Sequence, residues 1–159
     1  MTTTIMLVED EPDDALFFER ALKKAGVTSP LRVAKGGREA LDYLQGVDTF
    51  KDRELYPLPC MVVLDLNLPH ATGFEVLEQI RQHPELRNLV VIVLTSSASD
   101  ADIAKAYSLG ANAYLVKPSD SSQLVDMVQA IKHFWLTYNC LPHTSGTRPP
   151  PAGGLQAAS

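Results

Sequence analysis

Short runs that are apolar at nearly every position alternate along the chain with longer stretches whose apolar residues recur every three or four positions. The runs IMLV (5–8), LRVA (31–34), MVVLD (61–65), LVVIVLT (89–95) and AYLVK (113–117) are rich in Val, Ile and Leu and bounded by turn or helix-start residues, so each predicts a β-strand. Helices lie between them. EPDDALFFERALKKAG (11–26) opens with Pro12 and acids in its first turn, sets Ala15, Phe18, Leu22 and Ala25 on one stripe, and closes on Lys23, Lys24 and Gly26. GREALDYLQ (37–45), GFEVLEQIRQ (73–82), DADIAKAYSLG (100–110) and SDSSQLVDMVQAIKHFWLTY (119–138) complete a fivefold strand–helix alternation. Strands apolar on both faces and separated by helices imply a parallel sheet covered on both sides through right-handed crossovers. The fold class is α/β, a doubly wound sheet.

Ligands of such sheets sit beyond the carboxyl ends of the strands, where strand order switches. The first strand ends in Glu9, Asp10 and Glu11, the third in Asp65, the fourth in Thr95 and Ser96, and the fifth in Lys117 followed by Pro118. Singly, these read as ordinary surface: an Asp after a strand caps a helix, Thr95 caps the following turn, a Lys before Pro faces water. Together they would bring acids, a hydroxyl and an ammonium to one patch. Asp65 poses the sharpest question, because a carboxylate at the end of an apolar run is costly to bury unless it is paired.

These segments resemble the receiver domains of two-component response regulators. LVED, LDLNLP, LTSS and YLVKP match the receiver motifs in order and kind, from about Thr4 to about Tyr138. The resemblance implies a flavodoxin-like (βα)5 fold with strand order 2-1-3-4-5 and a receiver domain over 1–138. It implies Asp65 as phospho-acceptor, Mg²⁺ held by Glu9, Asp10, Asp65 and the backbone carbonyl of Asn67, Thr95 as switch hydroxyl and Tyr114 as switch aromatic. It also implies Lys117 as the phosphate-binding lysine, Gly73 in the tight loop after the acceptor, and a cis bond between Lys117 and Pro118. Thr72 stands where an acidic or small polar residue is usual, and Glu9–Asp10 where two aspartates are frequent; neither departure removes a necessary group. A carboxylate attacking an anionic phosphohistidine needs a cation to neutralise charge, which is why acids cluster. Such a protein is no enzyme beyond its own phosphorylation and dephosphorylation.

Two rival readings are weaker. An Asp-nucleophile phosphatase needs a second Asp two residues on, where Asn67 cannot exchange a proton. A flavin site needs amides where EDEPDD offers acids. A phosphorylation-independent binding module stays open.

A net charge of −5 with scattered Lys and Arg argues against a nucleic-acid surface. No apolar run approaches the length of a membrane span and the start lacks a secretory pattern, so the expected location is cytoplasmic. Cys60 and Cys140 lack metal-ligand spacing and read as thiols without a function. GVDTFKDRELYPLPC (46–60) is a polar, turn-rich insertion expected to stay off the core. The last helix is apolar over a broad arc through Leu124, Met127, Val128, Ala130, Ile131, Phe134, Trp135 and Tyr138, with Val125 and Leu136 beside it. Phe134 and Trp135 cannot both face the sheet, so an interface is expected there: a homodimer through the fourth helix, fifth strand and last helix. The insertion, the FWL extension and the LP that follows resemble the stand-alone regulators paired with bacterial and cyanobacterial phytochrome histidine kinases. Residues 139–159 are rich in Pro, Gly, Ser and Ala and read as a flexible tail with no output module.

Overall fold

The computed structural model describes residues 4–142. The elements run β1 (Ile5–Val8), α1 (Pro12–Lys24), β2 (Leu31–Ala34), α2 (Gly37–Gln45), β3 (Met61–Leu64), α3 (Gly73–Gln82), β4 (Val90–Thr95), α4 (Asp100–Ser108), β5 (Ala113–Val116) and α5 (Ser121–Ile131). The sheet order is β2-β1-β3-β4-β5 and every pairing is parallel. Most of the expected tail, residues 143–159, lies outside the described residues.

Alternation along the strands divides the core in two. Ile5, Leu7, Met61, Val63, Ile92 and Leu94 pack with Phe18, Ala21 and Leu22 of α1 and Val128 and Ile131 of α5. Met6, Val8, Val62, Leu64, Val91 and Val93 pack on the other side with residues of α2, α3 and α4. Both faces of the central strands are therefore dry, which is the physical reason their sequences show no polar alternation. Each such side chain contributes about 1.5–3 kcal/mol by leaving water, and truncating Leu64 or Ile92 to Ala would cost about 2–5 kcal/mol. The edge strands are less covered: Arg32 and Val33 of β2 and Val116 of β5 are exposed.

Three local expectations are corrected. Residues 46–60 do reach the core: Phe50, Tyr56 and Leu58 pack against the α2–α3 side, and Tyr43, Phe50 and Tyr56 form an aromatic cluster with ring centroids 5.1–5.9 Å apart. Apolar rings spaced through a polar segment found a surface to cover. The last helix keeps α geometry only to Ile131; Lys132–Tyr138 is π-helical, with Asn139 N donating to Phe134 O at 2.7 Å and Thr137 Oγ1 to Lys132 O at 3.0 Å. Lys117–Pro118 is trans, since no cis peptide occurs among the described residues. The Lys117 amide already donates to Thr95 O at 2.8 Å, and this strand-end pairing directs the side chain inward without a cis bond.

Among the described residues no helix is long and apolar enough to cross a membrane. Both cysteines are free.

Candidate functional site

Register puts the site together. The parallel ladder extends one residue past three strands: Glu9 N donates to Ala34 O at 3.0 Å, Asp65 N to Val8 O at 3.1 Å, and Lys117 N to Thr95 O at 2.8 Å. Glu9, Asp65 and Lys117 thus leave the sheet at the same end. The Lys117 ammonium donates to Glu9 Oε2 at 2.8 Å, Asp14 Oδ2 at 2.9 Å and Asp65 Oδ2 at 2.8 Å. The other oxygens of the two buried acids accept backbone amides, Glu9 Oε1 from Glu11 and Asp65 Oδ1 from Asn67, each at 3.1 Å. Gly73 lets α3 start against this loop, because a Cβ there would run into the Asp65 carbonyl and Leu66 Cα. Thr72 N-caps α3 in a reciprocal capping box with Glu75.

The charges do not balance. Glu9, Asp10 and Asp65 offer carboxylate oxygens within 4.8 Å of one another, and Asp14 adds a fourth acid against one ammonium. Burial, with the neighbouring Asp65 adding to it, pushes the Glu9 carboxyl up to about 7. Burial also acts upward on Asp65, but hydrogen bonds from Lys117, the Asn67 amide and Glu9 outweigh it and hold that carboxyl below its usual range. Lys117 is shifted upward: burial disfavours its charge, and the three carboxylates overcome that. A set of hard oxygen donors with surplus negative charge fits a small divalent cation.

Thr95 ends β4, between the strands that lead to Asp65 and Lys117. Its hydroxyl is fully buried and has no hydrogen-bond partner among the described residues. It caps no helix, since Ser99 caps α4 by accepting from Asp102 N. Tyr114 packs against the α2–α3–α4 side of the core, and its hydroxyl donates to Ser97 O at 2.8 Å. Trp135 packs on the α1–α5 side of the core, whereas Phe134 is 57% exposed with its ring 4.9 Å from Trp135. One participant was missed from sequence. Asp14 read as a helix-start acid, and its contact with Lys117 spans 103 positions. Ser97 closes the LTSS motif, and its Oγ donates to Asp102 Oδ2 at 2.6 Å.

The sequence model of the response regulator receiver domain matches residues 5–129. The chain belongs to this family. Among receiver proteins it is similar to "Probable methanogenesis regulatory protein FilR2" of Methanothrix harundinacea, 41% identical over 87% of this chain and 86% of that protein. Response regulator Rcp1 of Synechocystis sp. is 37% identical over 87% of this chain and 92% of its own, and its Mn²⁺-bound crystal structure superposes with a TM-score of 0.80. The phosphorylated cyanobacterial phytochrome response regulator RcpA is 34% identical, with 90% of this chain and all of that one covered and a TM-score of 0.84. The receiver assignment agrees with the strand order and the acid–lysine cluster.

Proposed function

We propose that this receiver accepts a phosphoryl group on Asp65 from a sensor histidine kinase and passes the resulting change to protein partners. One observation carries the reading: Thr95 keeps a buried hydroxyl without a partner among the described residues, at the end of the strand between those of Asp65 and Lys117. An unsatisfied buried hydroxyl costs free energy that a phosphoryl oxygen would recover. Glu9, Asp10, Asp65 and the Asn67 carbonyl would hold Mg²⁺. The bound cation supplies charge neutralisation between two anions that must meet.

In the transfer, an Asp65 carboxylate oxygen forms the new P–O bond as the P–N bond of the phosphohistidine breaks, and the imidazole leaves with the electron pair. Lys117 follows a phosphoryl oxygen and Thr95 donates to another. Movement of Thr95 pulls on the loop at Ser97, whose carbonyl holds Tyr114 and whose hydroxyl holds Asp102 of α4. In this reading Tyr114, through its hydrogen bond to the Ser97 carbonyl, reports phosphorylation on the α4–β5–α5 face. The likeness to RcpA favours a phytochrome kinase as donor. The exposed Phe134, with Trp135 beneath it, favours a homodimer over that face.

Acetyl phosphate or phosphoramidate with Mg²⁺ should add one phosphoryl group by intact mass, and Asp65→Asn should abolish it. Labelling that persists in that variant defeats the assignment. In light scattering, a wild-type monomer at tens of micromolar with and without phosphodonor would remove the dimer.

A further inference from the structure

Lysine has three N–H donors, and Lys117 spends each on a carboxylate. Glu9 and Asp65 are buried and each holds a backbone amide as well. Asp14 differs from both. It sits in the first turn of α1 with its side chain 43% exposed, and Lys117 is its side-chain partner among the described residues. It is also outside the set of acids that converge as a cation site, which is Glu9, Asp10 and Asp65.

We propose that Asp14 is a positioning residue, a tether from α1 that restrains the Lys117 ammonium and opposes its transfer to the phosphoryl group. The inference rests on Asp65 being the phospho-acceptor. Once Asp65 forms a P–O bond, its oxygen loses the charge that held Lys117, and the anionic oxygens now lie farther out on phosphorus. The ammonium must follow them. Glu9, at the sheet end, belongs to the same rigid frame as Asp65 and Lys117. Asp14 hangs from a helix, so following the phosphoryl group stretches the Asp14 ion pair. Its charge also competes with the phosphoryl oxygens for one cation, while adding to the negative field that attracts a divalent metal. Removing that charge should therefore act in opposite directions on the two ligands, which loss of fold cannot do.

The test uses the full chain and its Asp14→Asn and Asp14→Glu variants, titrated with Mg²⁺ alone and then with beryllofluoride at saturating Mg²⁺. Asp14→Asn should bind beryllofluoride about two- to fivefold more tightly, the scale of a partly exposed ion pair. It should bind Mg²⁺ more weakly, and Asp14→Glu should restore wild-type behaviour in both titrations. Unchanged or weakened beryllofluoride binding in Asp14→Asn overturns the tether. The parent reading is checked separately by beryllofluoride binding to wild type and its loss in Asp65→Asn. If wild type fails that check, the Lys117 ammonium resonance in metal-free protein still decides the tether: its hydrogens should exchange faster in Asp14→Asn, and equal exchange overturns it.

Discussion

Lys117 and Arg53 are both partly buried cations with every partner in reach, yet their surroundings differ in kind. Arg53 donates to the carbonyls of Tyr43 at 2.8 Å, Leu44 at 2.8 Å and Tyr56 at 3.2 Å. These partners are neutral, two of them belong to the last turn of α2, and the guanidinium completes that helix end while fastening the 46–60 segment to it. Burial lowers the Arg53 pKa. Lys117 is buried too, but carboxylates outnumber it and its shift is upward. A cation among neutral carbonyls is a finished staple. A cation among excess anions is part of a site that more positive charge can complete.

The largest expected effect lies on the staple. Arg53→Ala should destabilise the fold by about 3 kcal/mol, because helix-end carbonyls lose their donor and the Phe50–Tyr56 cluster loses its anchor. Urea denaturation measures this. Phosphodonor labelling of the folded fraction should be unchanged, and a loss of labelling at temperatures where the variant is folded would erase the distinction between the regions.

Next comes pH. Glu9 in the folded protein titrates near 7 against an ordinary value of 4.5. A raised carboxyl means the folded state holds its proton longer than the unfolded chain, so its contribution is full below pH 4.5 and is lost as pH climbs to about 7. Metal-free protein in chelator should lose stability on the order of 2 kcal/mol over that window, and Glu9→Gln should flatten the profile. Asp65 has the opposite sign: its lowered carboxyl stabilises above the ordinary value of 3.8 and that contribution is lost as pH falls below it. Arg53→Ala should keep the wild-type profile at reduced stability. A flat wild-type curve would mean the acids are not buried together.

The smallest effect is that of the metal. At tenfold excess over its dissociation constant, Mg²⁺ should stabilise the wild type by about 1.4 kcal/mol, since it binds the assembled acids and not the unfolded chain. Asp10→Ala should lose that response and Arg53→Ala should retain it. Calorimetric melting with and without Mg²⁺ separates them, and a wild type indifferent to the ion would leave the cluster an acidic rim.

Much of this contrast was legible beforehand, and unequally so. Asp65 and Lys117 stood out because each breaks an apolar run at a strand end, a local signal that survives without coordinates. Arg53 gave no such signal in KDRELYP, and the segment was read as lying off the core. Its rings are spaced by turns instead of a helical or strand period, so no periodicity announces which surface they cover. Asp14 was visible only as one of the acids of a helix start, where an acid is explained by the helix dipole alone.

Taken alone, the sequence determined the element order, the two-faced burial of the central strands and the residue types at each strand end. All of these follow from hydrophobic period and local stops, which act over a few residues. Only the tertiary structure decided which groups touch. The distance from Lys117 to Asp14, the orphaning of Thr95, the π-helical turn that leaves Phe134 exposed over Trp135, and the trans bond before Pro118 depend on register and packing between segments far apart in the chain. Contact energies fall off within a few ångströms, so such pairings are settled by how the strands stack and not by the composition of either partner alone.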